Sequence, residues 1–504
     1  MQIAVLVFYF AILIILSVFG AHRYFLLYQF YKHKDDKIRP QGDFPEPPGV
    51  TIQLPLYNEM YVAERLIKAV CALDYPKEKM EIQVLDDSTD ETTEIVAGLV
   101  KEYQGKGFDI NLLHRSKEER TGFKAGALAA GMEKAKYGYL AIFDADFLPP
   151  ENFLRRTVPF FTNPKIGMVQ IRWGHINRTC SLLTEVQSVL LDGHFVIEST
   201  VRNRTDRYFN FNGTAGIWRK QAIVDGGGWE HDTLTEDLDL SYRSQLKGWK
   251  FIYLPDMIAP AELPVTIQSF KTQQHRWAKG AIQTAKKLMP IIIRSKIPLK
   301  NKVEAFFHLC ANIAYLFMIP LSVAIFPTVV IRRNMNWGQM ILIDIPFLLL
   351  ATFSFGAFYL VAQKHVLKTW NEKIKFLPFC SAIGIGLSVN NAVAVWEGLV
   401  NKQSPFVRTP KYGILDNKKE AGQKKYKSNR SYLAYIEILL GLYFTATIFV
   451  AIDSEIYLTI PFLFIFQFGY LYMGVLSLME EHKWIPALFR REKTLTLAES
   501  KQRI

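Results

Sequence analysis

The first twenty residues, MQIAVLVFYFAILIILSVFG, contain no charged side chain. An apolar run of that length matches the roughly 20 residues a helix needs to cross a bilayer. It has no basic start and no small-residue cleavage site, so it reads as a retained anchor rather than a leader that is removed. A second apolar zone begins near Ala305 and runs almost to the C-terminus, and the stretch between the two has ordinary globular composition. That distribution predicts a globular domain framed by transmembrane helices. The expected divisions are a transmembrane helix at 1–22, a juxtamembrane linker at 23–48, a globular domain at 49–300 that ends in interfacial helices, a membrane region at 301–480 and a basic tail at 481–504.

Spans are expected at 1–21, about 305–330, about 340–362, 431–451 and 456–479. The stretch 376–399 is apolar but carries Ser388, Asn390, Asn391 and Glu397. If it crossed the membrane, the basic stretch 401–429 would fall on the outer side. If it lies flat in the interface, that stretch stays inside with the basic tail around Arg490, Arg491 and Lys493, as the excess of Lys and Arg on cytosolic loops requires. Arg23, Lys32, Lys34, Lys37 and Arg39 follow the anchor and put the globular domain in the cytosol. Arg332 and Arg333 run against this scheme, since they fall in a short loop on the outer side. The membrane would be a bacterial inner membrane or a Golgi membrane.

The net charge is +13, from 60 basic and 47 acidic residues. Many of the basic residues flank apolar segments, where they meet anionic lipid. They do not form the aromatic-interleaved basic face of a nucleic-acid module, so no nucleic-acid partner is expected. Cys71, Cys180, Cys310 and Cys380 are too far apart for a zinc pair or a redox motif and are expected to be unpaired.

Between 49 and 255, short β-branched runs alternate with helical stretches, which predicts a parallel α/β sheet. Strands are expected at Val50–Leu54, Ile82–Leu85, Ile110–Leu113 and Leu140–Phe143. Each ends in polar residues: Tyr57-Asn58-Glu59, Asp86-Asp87-Ser88, His114-Arg115 and Asp144-Ala145-Asp146. Ligands of open α/β sheets bind at the carboxyl ends of the strands, so these clusters point to one crevice. Helix capping explains Asn58 or Ser88. It does not explain Asp144 and Asp146, which repel each other unless a cation lies between them. A hard divalent ion such as Mg²⁺ or Mn²⁺, completed by phosphate oxygens, fits that pair. No P-loop and no G-x-G-x-x-G run is present, which weighs against a kinase or a dehydrogenase. Thr121-Gly122-Phe123-Lys124-Ala125-Gly126 sets a small-residue turn and a lysine before a helix, which suits a diphosphate. Thr235-Glu236-Asp237 reads either as an acidic helix start or as the carrier of a general base. Gln273-Gln274-His275-Arg276-Trp277 reads either as a membrane-surface anchor or as part of a site.

In this order, VLDDSTDET at 84–92, TGFKAGAL at 121–128, FDADF at 143–147, FNGTAGIWR at 211–219, TEDLDL at 235–240 and QQHRW at 273–277 resemble the family-two glycosyltransferases of the cellulose-synthase-like group. That group includes the plant mannan and glucan synthases and their bacterial relatives, and the resemblance covers most of the chain. It implies a GT-A fold, a Rossmann-like and mostly parallel α/β sheet, joined to an α-helical transmembrane bundle. It implies that Asp87 contacts the base or ribose of a nucleotide sugar, and that Lys124, Asp144, Asp146, Gln273, Arg276 and Trp277 hold the donor. Asp144 and Asp146 match the D-x-D metal motif, with Asp146 the firmer ligand, and Asp237 matches the catalytic base. Phe211, Asn212, Gly213, Glu236 and Trp277 fall where the family lines the acceptor site. Phe406, Arg408, Thr409 and Lys411 resemble the loop that gates cellulose synthase, although Arg408 stands where that enzyme usually has Val.

The implied chemistry is inverting transfer from UDP-glucose or GDP-mannose, with Asp237 taking the proton of the attacking hydroxyl. The resemblance allows two products: a β-linked polysaccharide, favoured by QQHRW and the 406–411 loop, or a single sugar on a polyprenyl-phosphate or ceramide-like lipid. A catalytically dead scaffold or transporter is the third reading, and the intact carboxylates argue against it. Protein partners and oligomeric state are not specified.

Overall fold

The computed structural model describes residues 2–334, 341–402, 408–413 and 432–482. Phe406, most of 401–429 and the tail beyond His482 lie outside the described residues. The central element is a seven-stranded sheet in the order β3-β2-β1-β4-β6-β5-β7. Its strands are β1 (Val50–Leu56), β2 (Met80–Asp86), β3 (Asp109–His114), β4 (Tyr139–Ile142), β5 (Ile166–His175), β6 (Gly216–Arg219) and β7 (Lys250–Ala261). The first four are the strands expected from the sequence, and they pair in parallel as β3-β2-β1-β4. β6 runs antiparallel between β4 and β5, and β5 pairs in parallel with β7.

Both faces of the sheet are covered, so successive side chains of a strand enter different cores. Along β4, Leu140 and Ile142 pack with Leu85, Leu128 and Trp218. Ala141 and the following Phe143 pack with Ile52, Leu54 and Leu66. The chain therefore leaves the sheet at Phe143 with Asp144 and Asp146 at its carboxyl edge.

Among the described residues, five helical spans are long and apolar enough to cross a membrane: Gln2–His33, Leu299–Asn334, Ile343–Val366, Leu433–Asp453 and Tyr457–Glu481. They correspond to the five spans expected. The first helix does not stop at the end of the apolar run but continues to His33, because no proline or glycine follows Gly20 before Pro40. Leu377–Gly386 and Ser388–Leu399 form a bent pair, with a kink of 44° between Trp370–Gly386 and Ser388–Leu399. The two arginines that ran against the charge rule are both paired. Arg332 grips Asp344 through two nitrogens, and Arg333 lies 2.7 Å from Asp453. The four cysteines are free.

Candidate active site

A cavity of about 470 Å³ opens over the carboxyl edge of the sheet. Asp87, Lys124, Asp144, Asp146, Asn212, Gly213, Glu236, Asp237, Gln273, Arg276, Trp277, Arg408, Thr409 and Lys411 all line it. Residues far apart in the chain thus meet in one place: Asp146 and Lys411, 265 positions apart, are in direct contact. Phe211 does not reach the cavity: it is fully buried and packs edge-on against Trp218.

Asp87 follows β2 directly. Arg115, at the end of β3, holds its carboxylate with Nε at 2.8 Å and with a second nitrogen. The same guanidinium donates to the carbonyls of Thr121 and Phe123, at 3.2 and 2.9 Å, and so fastens the 121–126 turn to the sheet. Gly126 makes that turn possible, because a Cβ there would lie 2.0 Å from the Thr121 carbonyl oxygen. The turn delivers Lys124, whose ammonium bonds to Asp144 and to the Gly213 carbonyl at 2.8 Å. Burial disfavours the charged ammonium, but Asp144, Glu236 and Asp237 outweigh it and raise the Lys124 pKa.

Gly213 is the close approach in the 211–219 segment. Its φ of +79° lies in the left-handed region, and a Cβ there would stand 3.0 Å from Asp237 Oδ2 and 3.3 Å from Lys124 Nζ. Asp237 sits in the first turn of helix Glu236–Leu246, where its Oδ1 accepts the Leu238 amide at 2.8 Å. Ser241 joins this helix to the preceding loop by accepting the Phe211 amide at 2.9 Å. Burial, helped by the neighbouring Glu236 charge and opposed by Lys124, pushes the Asp237 carboxyl up to about 7.

Gln273, Arg276 and Trp277 come from helix Ile267–Arg294. Its first amides, Ile267 and Gln268, donate to the Glu480 carboxylate at 2.6 and 3.0 Å. A carboxylate from the last membrane span thus satisfies the orphan donors of the helix start and fixes the helix over the cavity. Deeper in this joint, Lys271 bonds to Glu437 at 2.6 Å and to Ser477 at 2.7 Å. Farther along, Glu397 receives His275 and Lys279, both at 3.1 Å, and Lys402 at 2.8 Å.

The 408–413 segment closes one side of the cavity. Lys411 Nζ lies 2.7 Å from Asp146 Oδ2 and 2.9 Å from the Glu262 carbonyl, and the Tyr412 amide donates to Glu262 at 2.7 Å. Arg408 pairs with Glu59 at 3.3 Å. Burial pushes the Glu59 carboxyl up to about 8 despite Arg408. Glu59 and Glu262 carry no role in the sequence reading. Glu59 belongs to the polar cluster after β1, whereas Glu262 follows β7, a strand that the sequence pattern does not mark. A separate acidic group, Glu230, Asp232 and Asp239, closes around the Lys287 ammonium, which lies 3.1 Å from Asp239. Its positive charge is already supplied by that lysine.

A GT-A-like sheet with paired carboxylates at its edge, an elevated carboxyl facing them and a helical membrane region define a membrane-embedded glycosyltransferase. The family model described as glycosyl transferase family 21 matches residues 13–373, and the chain belongs to that family. The chain is 38% identical over 370 residues to a probable glucomannan 4-beta-mannosyltransferase 9 of Oryza sativa, covering 69% of this chain and 67% of the relative. It is 43% identical over 274 residues to glucomannan 4-beta-mannosyltransferase 2 of Arabidopsis thaliana, covering 53% of this chain and 50% of the relative. The chain thus spans between half and about two thirds of the length of these curated relatives. Both agree with the cellulose-synthase-like resemblance. Among solved structures, a mannosyltransferase from Pyrobaculum calidifontis in complex with GDP-Man and Mn²⁺ shares the fold, with a TM-score of 0.51 at 21% identity, covering 70% of this chain and 96% of that one.

Proposed function

We propose that this protein transfers mannose from GDP-mannose, with inversion, onto a growing β-linked polysaccharide at the cytosolic face of its membrane. The gathering of Asp144, Asp146, Lys124 and Asp237 around one cavity carries the reading. The choice of donor and polymer rests on the glucomannan mannosyltransferase relatives.

Asp237 is the general base. With its pKa near neutrality it can accept a proton from an attacking hydroxyl at physiological pH. The hydroxyl oxygen forms the new bond to the anomeric carbon while the bond from that carbon to the diphosphate breaks on the opposite face. The proton passes to Asp237, and the nucleoside diphosphate leaves with the electron pair. Lys124 and Arg276 face the cavity and offset the charge that develops on the leaving group. Asp87, anchored by Arg115, is positioned for the nucleoside end. Trp277 offers a flat apolar face to a sugar ring.

Asp144 and Asp146 present hard oxygen donors to the same cavity, and each is matched by an ammonium, Lys124 and Lys411. This donor set fits Mg²⁺ or Mn²⁺, held by Asp146 with Asp144 beside it, provided Lys411 withdraws. When bound, such an ion supplies positive charge against the donor diphosphate. The Arg408–Lys411 segment would then be free to close over the nucleotide, the gating role proposed for it.

The contact between Lys411 and Asp146 supports a topology in which the 376–399 region does not cross the membrane, because 408–413 must share a side with the catalytic domain. The pairing of Arg332 and Arg333 with aspartates supports the same scheme, since their charge is neutralised.

The test is radiolabel transfer by purified protein in lipid, with Mg²⁺ or Mn²⁺ and, separately, labelled GDP-mannose and UDP-glucose. The expected result is a large product from GDP-mannose that a β-mannanase cuts. Label confined to a small extractable lipid would replace the polymer reading with glycolipid synthesis.

A further inference from the structure

The cavity continues past Asp146 along the end of β5. The strand order places β2, with Asp87 after it, on one side of β4, and β6 and β5 on the other. The two ends of the cavity differ in chemistry. On the Asp87 side the walls carry Lys117 and Arg120, as suits a charged nucleotide. On the β5 side they carry Trp173, His175, Leu191 and Asn212.

This second wall is rigid. The Trp173 ring meets Phe147 edge-on at 5.0 Å and Phe195 at 4.9 Å. His175 Nε2 lies 3.2 Å from Asp192 Oδ1. The other carboxylate oxygen of Asp192 receives Arg178 and, at 2.9 Å, Gln363 from the third membrane span. A carboxylate only accepts, so Nε2 carries the proton and Nδ1 keeps a lone pair. Burial lowers the His175 pKa, which keeps the ring neutral, and Arg178 answers the charge of Asp192. Beside the Glu262 carboxylate, which is held by Arg65 and the Tyr412 amide, the wall presents one indole and one neutral imidazole, a surface suited to a pyranose and poorly suited to a phosphate.

We propose that Trp173 and His175 form a subsite for a neutral sugar ring of the acceptor glycan, with Asp192 as the positioning residue that sets the His175 tautomer. The proposal rests on the glycosyltransferase reading above and specifies where in that cavity the acceptor lies. In it the indole packs on the sugar face and the imidazole accepts a hydroxyl hydrogen, while the donor occupies the Asp87 side.

Calorimetric titration tests this without turnover. Mannotetraose and cellotetraose would be titrated, separately, into the full-length protein in lipid with GDP present, and GDP would be titrated alone as a control. Wild type is expected to bind at least one tetrasaccharide. His175→Ala and Trp173→Ala should each weaken that binding at least tenfold, while the GDP dissociation constant stays within twofold. Trp173→Phe keeps a flat ring and should lose less than threefold, and with His175→Ala it carries the test if Trp173→Ala does not fold. Wild type binding neither sugar would overturn the subsite. So would variants that bind as wild type does, or variants that lose sugar and GDP equally. Absence of transfer by wild type from either donor would instead defeat the functional reading, and the binding result would still decide the subsite.

Discussion

Replacing Asp237 by Asn keeps the side-chain shape and removes the base. The structure gives two magnitudes. The carboxyl is raised from its ordinary 3.8 to about 7, chiefly by burial. At about 1.4 kcal/mol per pKa unit, holding it ionised in the folded state costs roughly 4 kcal/mol as an upper bound. The sign follows from the direction: a folded pKa above the unfolded one stabilises the fold at acid pH, and that contribution is lost as pH rises through about 7. Asp237→Asn therefore should melt higher than wild type at pH 8 and show little difference at pH 4. Its transfer rate should fall by about 10²–10⁴, the usual worth of a general base. Wild-type transfer should rise through neutrality, to about a tenth of its plateau at pH 6 and half at pH 7, if the base titrates near 7. Initial rates with labelled GDP-mannose between pH 5.5 and 8.5, paired with thermal melts in detergent, measure both. A variant keeping more than a tenth of wild-type transfer, or a flat wild-type profile over that range, would refute the assignment of Asp237 as the base.

Gly213→Ala forces a side chain into a left-handed conformation, a cost of about 1–2 kcal/mol, and places its Cβ 3.0 Å from Asp237 Oδ2. Transfer should drop at least tenfold with little change in GDP affinity, as a rate assay and a binding titration would show. Lys411→Ala frees Asp146 of its ammonium partner. Mn²⁺ affinity without nucleotide, read by electron paramagnetic resonance, should rise severalfold while transfer falls. Unchanged affinity would mean that Lys411 and the ion do not compete. Glu397→Gln removes the carboxylate shared by His275, Lys279 and Lys402. Weakening the charge that holds Lys279 should destabilise the joint between helix Ile267–Arg294 and Ser388–Leu399, visible as a lower melting temperature.

Much of the site was legible along the chain because its parts are local. The runs that end at Leu56, Asp86, His114 and Ile142 alternate or cluster apolar residues strongly enough to mark four strands, and the polar residues behind them mark their carboxyl ends. His114, read as a strand-end contact, bonds to Asp86 at 2.9 Å. β5, β6 and β7 were harder to see. β5 ends in Arg172, Trp173 and His175, and β6 has only four residues. Phe211, Asn212 and Gly213 lie consecutively in one motif, yet Phe211 turns into the core while its two neighbours line the cavity. Spacing in a loop does not tell which way each side chain points.

The sequence alone determined that the chain has a first helix long and apolar enough to cross a membrane, a parallel α/β unit and polar residues gathered at strand ends. Apolar length and the period of side chains along strands and helices are set by neighbouring residues. Only the tertiary structure decided which distant charges meet. Lys411 neutralises Asp146, Arg408 pairs with Glu59, and Lys271 meets Glu437. Those pairings depend on how β5, β6 and β7 complete the sheet and on how the membrane helices dock against it. A buried charge must find its partner wherever packing brings one, and packing between segments hundreds of residues apart leaves no periodic signal in the chain.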